Sequence, residues 1–235
     1  MKILDFTEAI DPVPYHETLN PKLWQEHTII PEVRYSLLRI AHHFAEFLQV
    51  PKLHLRDITI SGSNAAYGYS EHSDLDLHLV VDIPKDKIEL VQLYDAKKNQ
   101  YNTNYDIQVK GIDVELYVQD SKQEHYSAGI FSLLKNKWLV EPKNEEVRVT
   151  PKEIKNKARN YAGKINLALR SKDLNTARET MDSLRRLRRA GLERNGEFSV
   201  ENLAFKLLRA RGQIDKLHKL ITKLESAELS LKEMP

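Results

Sequence analysis

Two acids separated by one residue, Asp74 and Asp76, stand just downstream of a small-residue turn, Ser61-Gly62-Ser63. The stretch Asp74-Leu-Asp-Leu-His-Leu-Val-Val81 alternates strictly at its start, as a strand with one buried face should. Asp74, Asp76 and His78 then share a face, and the two carboxylates lie roughly 6.5–7 Å apart along the chain. Carboxylates at that separation can share hard cations, and Mg²⁺ is commonly held by one or two carboxylates together with substrate phosphates. Gly62, without a Cβ, lets the backbone turn sharply or pass close to a ligand. Ser63 adds a hydroxyl at the mouth of the turn, so phosphate oxygens can be held by backbone N–H groups and that hydroxyl, with Ser73 a further hydroxyl beside the acids. A later run, Ile112 to Val118, offers a third carboxylate on Asp113 or Glu115. Three acids beside a phosphate-holding turn are costly unless a cation neutralises them.

Taken singly, each feature has an ordinary alternative. A Gly-Ser pair after a strand is usually a turn, and an Asp-x-Asp pair is usually an exposed strand face. The histidines His42, His43, His72 and His78 lack the spacing of metal ligands with acids, so structural roles are expected for them. Tyr101 and Tyr105 can stack on a base, but residues flanking a strand more often pack.

These residues need elements to hold them. Pro12, Pro14, Pro21 and Pro31 break up the first 30 residues, which read as an irregular arm laid over something else. Arg34 to Gln49 carries the apolar spacing of an amphipathic helix that stops before Pro51. Arg56 to Ile60 reads as a strand ending in Ser-Gly-Ser, followed by a loop or helical turn over Asn64 to Tyr69. Lys85 to Lys98 is expected to be helical, with Ile88, Val91, Leu93 and Tyr94 as its apolar set. Tyr105 to Lys110 and Ile112 to Val118 read as strands meeting at Gly111. Ser127 to Leu134 suggests a short helix, and Lys137 to Val140 an edge strand. After Pro151 the periodicity is helical throughout: Pro151 to about Leu169, Asp173 towards Arg189 with a stop near Gly191, and a last segment from an N-cap at Ser199 to about Ser230, with a bend at Gly212 allowed for.

The formal charge of +2 conceals two opposite halves: residues 1–150 hold 16 Lys and Arg against 23 Asp and Glu, and residues 151–235 hold 20 against 11. The expected organisation is a catalytic domain with its N-terminal arm over 1–150 and a basic helical domain over 151–235. An acidic half can host cations and a basic half a polyanion. Arg185, Arg186, Arg188 and Arg189, with Arg178, Lys206, Arg209 and Arg211, can form a basic stripe for phosphates, or simply a solvated helix face. The chain has no Cys, which excludes disulfides and thiolate chemistry and suits a reducing compartment. No apolar run approaches the roughly 20 residues of a membrane span, and acids interrupt the start too early for a signal peptide, so a cytoplasmic protein is expected.

The run from Ile58 through Ser61-Gly-Ser63 and Ser73-Asp-Leu-Asp-Leu77 to Val81 resembles the signature of the DNA polymerase β-like nucleotidyltransferase superfamily. The resemblance covers about residues 30–142. It implies an α+β fold, with a nucleotidyltransferase-type mixed β-sheet and flanking helices, ahead of the all-α C-terminal domain. It also implies a role for each part of the motif: Gly62, Ser63 and Ser73 at the phosphates of an NTP, and Asp74 and Asp76 on two Mg²⁺ or Mn²⁺ ions. The third acid is then Glu115, since Val114-Glu-Leu-Tyr-Val118 is similar to the family's acid followed by a hydrophobic run, with Asp113 as the alternate. More loosely the whole chain, including Leu19-Asn-Pro-Lys-Leu-Trp24 and Asn202-Leu-Ala-Phe-Lys206, resembles stand-alone nucleotidyltransferases of tailed phages.

The activity so implied is metal-dependent transfer of an NMP from an NTP to an acceptor hydroxyl with release of pyrophosphate. The basic helices point to an RNA 3′ end, such as that of tRNA, as acceptor. Nucleotidylation of a small molecule or a protein hydroxyl is the alternative within enzymes. A non-catalytic nucleotide- or RNA-binding module is the alternative outside them, disfavoured by candidates at all three acid positions. A metal-dependent glycosyltransferase shares the Asp-x-Asp pair but not the upstream Gly-Ser turn.

Overall fold

The computed structural model describes residues 16–50, 54–71, 73–84, 88–124, 127–144 and 149–230. The chain divides into two compact units, one containing the described residues up to 144 and the other those from 149 onward. The fold is α+β: a mixed sheet with helices in the first unit, helices alone in the second.

The first unit opens with a hairpin of β1 (Trp24–Gln25) and β2 (Thr28–Ile29), followed by α1 (Pro31–Leu48). Pro31 suits the first helical turn, where its missing N–H is no loss, and the chain leaves the helix through Gln49 in a left-handed conformation. Val33, Leu37, Ala41, Phe44 and Leu48 form the buried stripe of α1. Each of the large side chains contributes about 1.5–3 kcal/mol on full burial. Then come β3 (Leu55–Ser61), β4 (Leu75–Val81), α2 (Ile88–Asn104), β5 (Gln108–Val109), β6 (Ile112–Asp120), β7 (Ile130–Ser132) and β8 (Lys137–Val140).

The six strands β3 to β8 lie in the order β5-β6-β4-β3-β7-β8. β4 and β6 run parallel, joined by the crossover through α2, and the other pairings are antiparallel. Alternation divides the sheet into two chemically different faces. Ile58, Ile60, Leu75, Leu77, Leu79, Leu116 and Phe131 belong to one core with Leu37, Ala41 and Phe44 of α1. Asp57, Thr59, Ser61, Asp76, His78, Glu115 and Ser132 lie on the other face, as the strand register requires.

Several elements depart from expectation. The stretch Ser127 to Leu134 is not a helix. Its Ile130–Ser132 is a strand, because Phe131 and Ser132 pair with Ile60 and Thr59 at the open edge of β3. A three-residue strand is too short for its period to show in sequence. α2 runs on to Asn104 and turns a different face inward: Val91 and Leu93 are exposed, whereas Tyr94 and Tyr101 are buried. Tyr101 is core, ringed by Phe44, Phe47 and Tyr105. Asn102 of α2 closes the edge of β6, its side-chain amide donating to the Leu116 carbonyl (3.0 Å) and accepting from the Leu116 N–H (3.1 Å).

The second unit holds α3 (Pro151–Ser171), α4 (Leu174–Asn195), α5 (Val200–Ala210) and α6 (Gln213–Leu229). α3 starts with a reciprocal capping box between Thr150 and Glu153, and Asp173 and Ser199 cap α4 and α5. α4 does not stop at Gly191. A Cβ there would come within 2.7 Å of Glu201 Cβ and 2.8 Å of Ser199 Oγ, so this glycine serves close packing of α4 on α5 rather than chain termination. The last segment does break at Gly212, which adopts φ +65° between α5 and α6. No helix among the described residues is long and apolar enough to cross a membrane.

Candidate active site

β3 delivers Ser61 and then Gly62, whose φ of 75° and ψ of −164° belong to a region open in practice only to glycine. A second constraint acts on the same residue. A Cβ on Gly62 would sit 2.0 Å from Asp76 Oδ2, so the turn passes directly against that carboxylate. Ser63 then opens a single 3₁₀ turn over Ser63–Ala65. Ala65 and Ala66 donate their N–H groups to the carbonyls of Gly62 and Ser63, while the N–H groups of Ser63 and Asn64 have no partner within the turn itself. The Gly62 N–H is committed elsewhere, to Ser127 Oγ at 3.1 Å.

On β4, Asp76 stands opposite Ser61 on one side and Glu115 on the other. Directly opposed residues project to the same face, and adjacent strands are about 4.8 Å apart, so Asp76 and Glu115 form a carboxylate row against the Gly62 turn. Both are half-buried. Asp113 lies on the same face of β6 at its exposed end, and its carboxylate accepts from Gln108 Nε2 at 2.6 Å. Asp74 sits at the entrance to β4, half-buried, its carbonyl accepting from Asn64. Ser73 is turned into its own loop, where its hydroxyl accepts from the Ser70 N–H at 2.9 Å. His78 is 8% exposed, its Nε2 lies 3.0 Å from Ser61 Oγ, and it stacks on Tyr117. Of the other histidines, His43 contacts Tyr101 Oη and His42 pairs with Glu46, while His72 lies outside the described residues.

Asn64 was not singled out by its spacing, yet it ties the site together. Its Nδ2 donates to the carbonyls of Ser73 (3.0 Å) and Asp74 (2.9 Å), joining the Gly-Ser turn to the start of β4. Its Oδ1 accepts from Asn20 Nδ2 at 2.8 Å, and its carbonyl accepts from Trp24 Nε1 at 2.8 Å. The segment 16–30 therefore braces the turn from behind. Gly129 braces it from another side, since a Cβ there would meet the Ala65 carbonyl oxygen at 1.9 Å. The only sequence signal for any of this was Leu19-Asn-Pro-Lys-Leu-Trp24, whose role its spacing does not reveal.

The donors at the turn are anionic oxygens, the type that suits a hard divalent cation. Among the described residues no three His, Asp or Glu side chains are gathered as a ready metal cage. The residues therefore fit an ion that takes one or two carboxylates of this row and completes its shell with water and phosphate oxygens, the usual habit of Mg²⁺.

In the second unit, Arg185, Arg188 and Arg189 line one cleft, together with Arg209, whereas Arg186 lies outside that lining. The wider stripe is divided by ion pairs of Arg178 with Glu225 and Lys206 with Glu197.

No family model matches this chain. A segment of 120 residues, 50% of the chain, is 28% identical to the transcription-repair-coupling factor of Bacillus subtilis (strain 168), and spans only 10% of that protein. Among solved structures, the STING-associated CdnE c-di-GMP synthase from Capnocytophaga granulosa aligns over 85% of this chain and 84% of its own, at 15% identity and a TM-score of 0.26, a likeness too slight to carry functional weight.

Proposed function

We propose that the chain is a nucleotidyltransferase that moves an NMP from an NTP to an acceptor hydroxyl. The observation that carries this reading is the packing of Gly62 against Asp76, with Glu115 in register beside it: a glycine turn and a carboxylate row meet at one point. In this reading the Ser63 hydroxyl and the leading N–H groups of the 3₁₀ turn hold the triphosphate. Asp74 and Asp76, with Glu115, would hold the divalent ions, which when bound neutralise the triphosphate and acidify the acceptor hydroxyl. The acceptor oxygen bonds to the α-phosphorus, the bond from that phosphorus to the α,β-bridging oxygen breaks, and pyrophosphate leaves. We assign the acceptor's proton to Glu115. The rigid seat of the turn on Asp76 would limit motion of the donor during attack.

The acceptor we propose is an RNA 3′ end, as in tRNA, favoured by the basic charge of the helical unit and its Arg185, Arg186, Arg188 and Arg189. The test is to incubate the protein with each α-labelled NTP, Mg²⁺ or Mn²⁺, and RNA, protein or metabolite fractions in turn. Label is expected in RNA and is expected to vanish with Asp76→Asn. Label confined to protein or metabolites would keep the transfer and replace the acceptor; no label from any NTP would remove the reading.

A further inference from the structure

α2 runs along the outer margin of β6. β5 pairs with β6 only at Ile112 and Asp113, and further along that margin the Asn102 side chain bonds both the N–H and the carbonyl of Leu116. Lys98 lies one helical turn before Asn102 and so faces the same margin. Its ammonium lies over the Tyr117 ring, 4.9 Å from the centroid. Tyr117 stacks on His78 with centroids 5.0 Å apart, and His78 Nε2 is 3.0 Å from Ser61 Oγ. Tyr117 and His78 stand one step along their strands from Glu115 and Asp76, on the same face. Lys98 therefore brings a positive charge from α2 to the face that carries the carboxylate row. The adjacent Lys97 goes elsewhere, over the Phe47 ring of α1 at 5.5 Å.

Position assigns the Lys98 charge to one side of the site. Ser61 and Glu115 flank Asp76 on opposite strands, which puts the Gly62 turn roughly 9–10 Å across the sheet from Glu115. Lys98 lies beyond Glu115, at the margin away from that turn, so phosphates held at Gly62 and Ser63 are out of its reach. Among the described residues no acid forms an ion pair with Lys98, and its contact with the ring face leaves the three N–H donors of the ammonium to other partners. Covering Tyr117 needs no charge, since the methylene stem of the side chain would serve. A cation beside the carboxylate that takes the acceptor's proton, and remote from the triphosphate, is complementary to an anionic acceptor.

We infer that Lys98 binds a phosphate of the acceptor strand next to its 3′-terminal hydroxyl, holding the strand on the Glu115 side while the NTP occupies the Gly62 side. This rests on the transfer reading proposed above and deepens it. Acceptor recognition then begins in the sheet unit itself, on a residue outside the basic helices.

Transfer kinetics with an α-labelled NTP and an RNA oligonucleotide bearing a free 3′-hydroxyl read the first consequence. Lys98→Met is expected to raise the KM for the oligonucleotide by about tenfold or more with the KM for NTP within about twofold, and Lys98→Arg to keep the oligonucleotide KM within about threefold of wild type. The second consequence needs neither metal nor turnover. Binding of the same oligonucleotide, with a 5′ fluorophore, to full-length Asp76→Asn protein is followed by anisotropy in EDTA at several salt concentrations. Loss of one phosphate contact to a single strand lowers the logarithmic salt slope by about 0.7, which is expected on adding Lys98→Met and not on adding Lys97→Met, the same change of charge one residue away. Circular dichroism checks that the folds match. An unchanged salt slope with Lys98→Met, an equal change with Lys97→Met, or a raised KM for NTP in place of the oligonucleotide would each overturn the inference. No label from any NTP, with the slope change present, would remove the transfer reading and leave Lys98 as a strand-binding residue. Label with an unchanged slope would leave the transfer reading standing and remove this role for Lys98.

Discussion

Gly62 satisfies two demands that no other residue type meets together. Its backbone occupies a glycine region, and its missing Cβ leaves room for the Asp76 carboxylate. Gly62→Ala is therefore expected to destabilise the sheet unit by about 1–3 kcal/mol and to displace Asp76. Denaturant midpoint reads the first effect and labelled transfer the second, which should fall by more than about a hundredfold. The strand register makes a sharper statement about the third acid. Glu115 lies beside Asp76, while Asp113 is bonded to Gln108. Glu115→Gln should cost at least about a hundredfold in transfer rate, as removal of a general base does, with Asp113→Asn near wild type. Equal losses in the two variants would contradict this assignment. Asn64 touches no reacting atom in this scheme and is a positioning residue. Asn64→Ala removes two amide donations and the Asn20 contact, an expected loss of about 1–3 kcal/mol. Its kcat should fall more than its KM changes, because the turn and the acids lose their mutual alignment.

α2 and α1 meet through an aromatic cluster around Tyr101, and burial pushes that phenol up to about 12. The phenol is neutral when folded and ionises more readily when the chain unfolds, so the pH dependence has a definite sign. The stability it supports is complete below the ordinary phenol value of 10.0 and is lost as pH rises from there through about 12. Wild-type protein should lose stability across that window, and Tyr101→Phe should flatten the loss in denaturant melts taken at successive pH values. Tyr161 in the helical unit is likewise pushed up to about 12, mainly by burial, so part of the slope should survive in Tyr101→Phe. At the α4 and α5 contact, Gly191→Ala forces a methyl against Glu201 and Ser199. The expected cost is about 1–3 kcal/mol, although alanine is the better helix former at an open position. An unchanged or raised melting midpoint would refute that account of Gly191.

At the scale of the whole molecule, charge is partitioned with the units: the carboxylate row of Asp76 and Glu115 belongs to the sheet unit, and the clustered arginines to the helical one. If RNA engages the arginines, its affinity should fall steeply with added salt, with a logarithmic slope set by the number of phosphates contacted.

The Gly-Ser turn, the Asp74 and Asp76 pair, the strands bearing them, and most helix limits were legible along the sequence because each is coded by local period, capping or backbone freedom. What local pattern could not decide is contact across distance. The choice of Glu115 beside Asp76 depends on how β6 registers on β4, and Asn64 gains its role from partners at Asn20, Ser73 and Asp74. Gly191 looked like a helix stop because glycine ends many helices, whereas the approach of α5 explains it. The arginines of α4 were visible as a charged run, but only the tertiary fold brings three of them to one cleft with Arg209 and leaves Arg186 out of it. The sequence by itself determined which residues are candidates for phosphate and cation chemistry, because residue type and spacing suffice to nominate them. The tertiary structure decided which residues act together, because side chains from separate elements meet only through packing and register.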